Sequence, residues 1–285
     1  MNPQKLLSPS AYVRKVRSVL FQAREQYYDR KYRIHSYNID EEISKTKNTY
    51  KKLELDYDAA VALTEHVRAE FPEYFEQDEN KSCFSEHYTL FAAFSALPVK
   101  RILELGTYNG EFTFFLSRIF PDAEIVTVDL PDSDPVFCAT YGRDEVEARK
   151  NFIEKRNHRL ASNRITFIQR NSFFLPSLGL KKFDCIWVDA SHIFPAVAWD
   201  VCNAYHLLND NCFMAFDDIF IPEKKKVPLW NHIDAYDGGE ALSVLNDGAW
   251  GSLNFILKRF SPDWSANQRR RKYIAVFQKK PCVFD

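Results

Sequence analysis

Several features that mark special classes of protein are scarce or missing in this sequence. Only 8 of the 285 residues are glycine, which excludes a collagen-like or linker-dominated chain. The formal net charge is −1, so nucleic acid and anionic membranes are not expected as partners. No apolar run of about 18 residues is free of charge, and the first residues lack the apolar core of a signal peptide. We therefore predict a cytoplasmic protein.

The cysteines and the basic runs do not indicate a special site. The six cysteines include no CxxC pair, and Cys185 and Cys212 lie in apolar runs, so reduced core thiols are expected. Two basic runs, Lys224–Lys226 and Arg269–Lys272, come without an aromatic stacking module. We interpret them as solvated loop charge.

The spacing of apolar residues changes near residue 98. Residues 1–97 have apolar residues at helical spacing and no convincing strand, which predicts a helical N-terminal region. From residue 98 to residue 285, short apolar strands alternate with helices, which is typical of a parallel α/β sheet. We predict a doubly wound, mostly parallel sheet with a C-terminal antiparallel strand, interrupted by an irregular insertion at Ile219–Asp247.

The most informative segment is the turn after the first predicted strand. Gly106 and Gly110 bracket this turn, and glycine there lets the backbone pass close to a ligand. Tyr108 stands where a GxGxxG motif has its middle glycine, so a nicotinamide oxidoreductase is disfavoured. Glu104 precedes the turn, and Asp129 ends the next strand, where a carboxylate can accept both ribose hydroxyls of an adenosine.

Five motifs in order resemble those of class I S-adenosylmethionine-dependent methyltransferases, closest to the catechol and macrocin O-methyltransferase-like branch, over roughly residues 85–220. They are ELGTYNG, VTVDL, EARKNFIEKRNHRLASNRITFIQRNS, FDCIWVDASH and FDDIF. The resemblance implies a Rossmann-like domain that binds S-adenosylmethionine at residues 98–285.

The same resemblance implies roles for individual residues. The methionine part of the cofactor would lie against Glu104 and the turn of Gly106, Thr107, Tyr108, Asn109 and Gly110. Asp129 would hold the ribose, Asn171 and Ser172 would border the adenine, and Asp189 would lie at the same rim. The family usually has Asp where Asn171 stands, and the Asn171 segment could equally be a strand-end turn.

Three carboxylates are predicted to converge at the ends of the fourth and fifth strands. Asp189, Asp217 and Asp218 would repel one another, and a hard divalent ion such as Mg²⁺ would relieve that repulsion. The alternative is that Asp217 caps a turn and Asp218 is solvated. His192, three residues after Asp189, is the candidate general base, and a structural role remains open.

The sequence indicates no role in the chemistry for three further side chains. We expect His87 on a helix surface rather than at the cofactor mouth. Trp199 is predicted to be a core residue, and Asp200 to be either solvated or on the substrate side. We expect the N-terminal helices to pack over the mouth of the site, because a parallel sheet's faces are covered by its own helices. A homodimer formed through the N-terminal helices is an open alternative.

The function predicted from these residues is metal-assisted O-methylation of a small-molecule hydroxyl, with S-adenosylmethionine as the methyl donor. Two alternatives stay open. One is a metal-independent N-methyltransferase in which Asp217 and Asp218 orient an amine. The other is a protein that binds the cofactor without turnover and acts as a partner. The acceptor itself is not indicated by the sequence.

Overall fold

A seven-stranded sheet forms the centre of the protein. The computed structural model describes residues 38–75, 86–192, 195–220, 250–258 and 272–281, with a few isolated positions besides. The strand order is β3-β2-β1-β4-β5-β7-β6, in which β1 to β5 are parallel and β7 runs antiparallel to β5 and β6. The strands are β1 Arg101–Leu105, β2 Glu124–Asp129, β3 Ile165–Gln169, β4 Phe183–Val188, β5 Leu208–Phe220, β6 Gly251–Leu257 and β7 Lys272–Lys279. The predicted Rossmann-like α/β fold is confirmed.

Helices precede and connect these strands. Asn38 and Asp56 start the first two helices, since their side-chain oxygens accept hydrogen bonds from backbone N–H groups of the first turn. The helices are α1 Ile39–Lys52, α2 Tyr57–Glu70, α3 Glu86–Phe94, α4 Glu111–Ile119, α5 Pro135–Ala139, α6 Val146–Arg159 and α7 Ala196–Leu207, and a 3-10 helix spans Ser172–Leu178. None of the helices in the described part of the chain is long and apolar enough to cross a membrane.

The N-terminal helices share a core with one face of the sheet. Phe94 of α3 stacks on Phe213 of β5 with the ring centroids 4.9 Å apart. His87 of α3 lies flat against Trp187 of β4 at 5.2 Å and meets Phe112 of α4 at 4.7 Å. The expectation that His87 lies on a helix surface is therefore wrong. The reasoning that the sheet's own crossover helices cover both of its faces is also wrong. The N-terminal helices α2 and α3 help to cover one face of the sheet.

Both faces of the central strands are buried, which explains their continuous apolar runs. Ile102 of β1 belongs to the core on the side of the N-terminal helices, whereas Leu103 and Leu105 belong to the core on the opposite side. Alternate residues of a strand point to opposite faces, so a strand covered twice must be apolar throughout. Glu104, 1% exposed next to the last residue of β1, is a charged exception.

Candidate active site

The turn between β1 and α4 places three residues in a left-handed backbone conformation. Gly106 has φ 101°, Tyr108 has φ 48° and Gly110 has φ 76°. A Cβ atom on Gly106 would lie 2.2 Å from the carbonyl oxygen of Asp189, so only glycine lets β1 and β4 approach this closely. The structure thus brings the predicted turn and Asp189 together at one edge of the sheet.

Contacts around Asn109 support this turn from behind, and most of their partners are residues that the sequence did not single out. Asn109 is buried, and its side-chain oxygen accepts a hydrogen bond from the backbone N–H of Glu111 at 3.0 Å. Arg159 donates to the backbone carbonyl of Asn109 at 3.1 Å, and Tyr88 donates to the Glu111 carboxylate at 2.9 Å. The helical spacing of Arg159 gave no sign of this contact, because its partner lies 50 positions away.

Asp129 lies directly beside the turn. Its carboxylate accepts hydrogen bonds from the backbone N–H of Tyr108 at 2.8 Å and of Leu130 at 2.7 Å. Burial raises the pKa of Asp129, and these two hydrogen bonds and the charges of Arg143 and Arg156 oppose the rise. An ionised carboxylate has about four acceptor sites, so two remain for ribose hydroxyls.

Glu104 is a buried carboxyl with one satisfied oxygen. Its Oε2 accepts hydrogen bonds from the hydroxyls of Thr113 and Thr127, the latter at 2.5 Å. Its Oε1 is buried without a hydrogen-bond partner among the described residues. Burial raises the pKa of Glu104 to about 8 against the opposing effect of the two threonines. An orphaned buried acceptor fits a ligand that brings a donor, such as the amino group of the cofactor's methionine part.

The segment after β3 has a clear local role. The side-chain oxygen of Asn171 accepts a hydrogen bond from the backbone N–H of Phe173 at 2.9 Å and so starts the 3-10 helix. This contact matches the strand-end turn that the sequence left open. Whether Asn171 and Ser172 also border the adenine stays a prediction.

Two residues of α7 are placed differently from the sequence interpretation. The Trp199 indole is 40% exposed and donates to the backbone carbonyl of Phe173 at 3.1 Å, so it is not a core residue. Asp200 is completely buried rather than solvated. Burial raises the pKa of Asp200 to about 6, and Ser172 and His192 oppose this rise. Neither Asp200 oxygen has a hydrogen-bond partner of good geometry in the described part of the chain.

His192 and Asp189 form a pair at the edge of the sheet. Nε2 of His192 lies 3.3 Å from Oδ1 of Asp189, with both side chains about one-third exposed. Burial alone would lower the pKa of His192, but the hydrogen bond and charge of Asp189 raise it above its ordinary value, and Asp218 and Asp217 add to this. The structure therefore brings together the two residues predicted to form a base and its orienting acid.

Asp217 and Asp218 contact lysines. Lys258 Nζ lies 2.6 and 2.8 Å from the two oxygens of Asp217 and 2.9 Å from Oδ1 of Asp218. Lys272 Nζ lies 2.5 Å from Oδ2 of Asp218. Although burial favours the neutral acid, Lys258 and Lys272 hold the pKa of the Asp218 carboxyl well below its usual range.

This arrangement does not fit the predicted magnesium site. No group of three or more metal-ligating His, Cys, Asp or Glu side chains occurs among the residues that the structure describes. The prediction that β5 ends at Asp217–Asp218 is wrong, because the strand continues to Phe220 and the pair lies where its register with β7 shifts. The interpretation of Lys272 as solvated loop charge is also wrong, whereas Lys224–Lys226 and most of the insertion lie outside the described residues.

Residues 103–219 match the family model of a methyltransferase domain. This match is consistent with a class I S-adenosylmethionine-dependent methyltransferase. The matched region runs from β1 almost to the end of β5 and includes Glu104, Asp129, Asp189 and the Asp217–Asp218 pair. The match ends before Lys258 and Lys272. The match supports the family predicted from the sequence, whereas the roles of single residues stay predictions.

Solved structures with a similar fold include O- and N-methyltransferases. The O-methyltransferase TomG from Streptomyces achromogenes, in complex with SAM, is 17% identical, with 82% of this chain and 96% of that chain covered and a TM-score of 0.44. SAH-bound PaMTH1 from Podospora anserina is 18% identical, with 87% and 98% covered and a TM-score of 0.46. The N-methyltransferase NodS from Bradyrhizobium japonicum is 16% identical, with 71% and 99% covered and a TM-score of 0.44. Similarities this low do not assign an acceptor. No curated protein matches the chain.

Proposed function

We propose that this methyltransferase methylates a hydroxyl group of a small molecule, with His192 as the general base and Asp189 as the residue that orients it. The observation that supports this most is the contact of 3.3 Å between His192 Nε2 and Asp189 Oδ1, next to the turn at Gly106. A hydroxyl is a poor nucleophile until its proton is removed, and a histidine beside a carboxylate is suited to that step.

The cofactor residues act together at this edge. Bound S-adenosylmethionine supplies an electrophilic methyl group on a positively charged sulfur. Asp129 would accept hydrogen bonds from the ribose hydroxyls, and Oε1 of Glu104 would accept one from the amino group of the methionine part. The glycine turn lets the backbone lie against the ligand without a Cβ atom in the way. These residues position the methyl group and do no covalent chemistry, so their contribution is proximity and orientation.

His192 can hold and move one proton. Its Nε2 faces Asp189, which leaves Nδ1 with a lone pair that can take a proton when the ring is neutral. Asp189 then stabilises the ring once Nδ1 has taken the hydroxyl proton. Because Asp189 raises the pKa of His192, the base is fully neutral only above its ordinary titration range.

The pH dependence of methyl transfer tests this role. We expect kcat/KM for a phenolic acceptor to rise with pH through a pKa above 6.5, because only neutral His192 accepts a proton. His192→Gln should lower the rate by about 10²–10⁴-fold and remove this limb of the profile. His206→Gln, which changes an exposed histidine of α7, is the matched control. A His192→Gln profile with the wild-type limb would contradict the proposal.

The contacts of Asp217 and Asp218 support O-methylation over the N-methyltransferase alternative. Orienting an amine would require free carboxylate oxygens there, and all four oxygens contact lysine ammonium groups. A panel of phenols, catechols and amines, scored by SAH released, separates the two reactions. Release of SAH with amines only would favour N-methylation, and no release with any acceptor would favour the non-catalytic partner. A cytoplasmic location and a homodimer stay predictions.

A further inference from the structure

We propose that Lys258 and Lys272 form a built-in cationic pair that takes the place of a divalent metal ion beside Asp217 and Asp218. Methyl transfer by this enzyme would then need no metal. The inference rests on the proposed function for its catalytic meaning and concerns the same edge of the sheet. Lys258 and Lys272 are positioning residues in this account and do not touch the acceptor.

Lysine ammonium groups contact every carboxylate oxygen of the two acids. Each of the four oxygens lies 2.5–2.9 Å from a lysine Nζ. Mg²⁺ needs carboxylate oxygens at about 2.0–2.1 Å and would have to share them with these ammonium groups. An ion bound there would lie within a few ångströms of one or two ammonium groups of the same sign, and that repulsion opposes binding.

The charges of the pair match those of a divalent ion. Two ammonium groups provide a double positive charge, which is the charge that Mg²⁺ would bring. Lys258 is 1% exposed, so water screens its attraction to Asp217 and Asp218 only weakly. The charge of Lys258 also attracts Asp189. The two lysines thus offset part of the repulsion that made a metal plausible from the sequence. Burial, with the charges of Asp218 and Asp189, still raises the pKa of Asp217 to about 6 against the opposing charge of Lys258.

The fold builds this arrangement from three adjacent strands. Lys258 directly follows β6 and Lys272 begins β7, and the backbone N–H of Lys258 donates to the carbonyl of Lys272 at 2.8 Å. The two lysines are therefore neighbours across the hairpin. On β5, which pairs with β7, the register shifts between Phe216 and Ile219. A bulge of this kind lets two consecutive side chains face the same partner instead of opposite faces of the sheet.

Thermal unfolding with Mn²⁺ tests the inference without cofactor or acceptor. Mn²⁺ is the probe because it binds oxygen ligands as Mg²⁺ does and is visible by electron paramagnetic resonance. The melting temperature of the wild type should be the same in EDTA and in Mn²⁺. Lys258→Gln should melt lower in EDTA, and Mn²⁺ at a hundredfold excess over its Kd should raise its melting temperature by about 5–10 °C.

Lys279→Gln is the matched control. Lys279 is likewise buried, but its Nζ donates to the backbone carbonyls of Tyr205 and Leu208 rather than to a carboxylate pair. This variant should lose stability without any response to Mn²⁺. Should Lys258→Gln fail to fold, the free Mn²⁺ signal in a titration of the wild type decides: an undiminished signal supports the inference.

Two results would overturn the inference. One is wild-type binding of one Mn²⁺ per chain that Asp217→Asn abolishes. The other is a Lys258→Gln variant that still binds SAH but shows no Mn²⁺ response. Methyl transfer in EDTA should equal that in Mg²⁺. Because the Mn²⁺ experiments need no turnover, failure of the proposed function and failure of this inference are distinguishable.

Discussion

Replacing Glu104 by Gln should change how the stability of the protein depends on pH. The pKa of Glu104 is raised from 4.5 to about 8, chiefly by burial. Between these values the folded protein holds a proton that the unfolded chain has released, so the free energy of unfolding falls as the pH rises. The stabilisation that the protonated Glu104 gives to the folded state is fully present below pH 4.5 and is lost above about pH 8. Gln resembles the protonated form and does not ionise.

The size of this effect follows from the pKa shift. Each unit of difference corresponds to about 1.36 kcal/mol, so the shift of Glu104 sets an upper limit on the order of 5 kcal/mol. Urea unfolding at pH 5, 7 and 9 measures it as the difference between Glu104→Gln and wild type. The two proteins should be closest in stability at pH 5, and the variant should be more stable by several kcal/mol at pH 9.

An exposed acid provides the control for this measurement. Glu147→Gln, on the surface of α6, should follow the wild-type curve at every pH. Stability curves of Glu104→Gln and wild type that stay parallel from pH 5 to pH 9 would refute the reasoning. Glu104→Gln should also bind SAH more weakly, because a neutral amide attracts the cofactor's charged amino group less than a carboxylate does.

Three further changes test how the glycine turn and the N-terminal helices are built into the fold. Gly142→Ala should cost about 1–2 kcal/mol in urea unfolding, because Gly142 has φ 72° but open space around it. Gly106→Ala should cost clearly more and abolish SAH binding, since its Cβ would meet the Asp189 carbonyl; equal costs would contradict this. Removing residues 1–80 should lower the melting temperature and not only acceptor use, because Tyr50 and Ala60 belong to the main core; an unchanged melting temperature would contradict it.

The local part of the site could be predicted from the sequence. Gly106 and Asp129 lie at strand ends and Gly110 closes the turn before α4, and the carboxyl ends of parallel strands lie at one edge of a sheet. Strand pattern and strand order are therefore enough to bring them together. The contact between His192 and Asp189 spans only three positions and is predictable for the same reason.

The partners of Asp217 and Asp218 could not be predicted in this way. Lys258 and Lys272 lie 40 or more positions further along the chain and reach the acids only through the pairing of β5, β7 and β6. Gly251–Leu257 was not recognised as a strand, so the register that places Lys258 was missing. A charged residue next to an apolar run gives no sign of whether it is solvated or buried.

Calorimetric titration with SAH tests the central claim most directly. The wild type should bind one SAH per chain and should not bind NADH. Asp129→Ala should weaken SAH binding by about 1–3 kcal/mol, because hydrogen bonds to a charged acceptor are lost. Binding of NADH with no heat from SAH, or an Asp129→Ala variant with wild-type affinity, would contradict the assignment of the cofactor site to the turn of Gly106 and to Asp129.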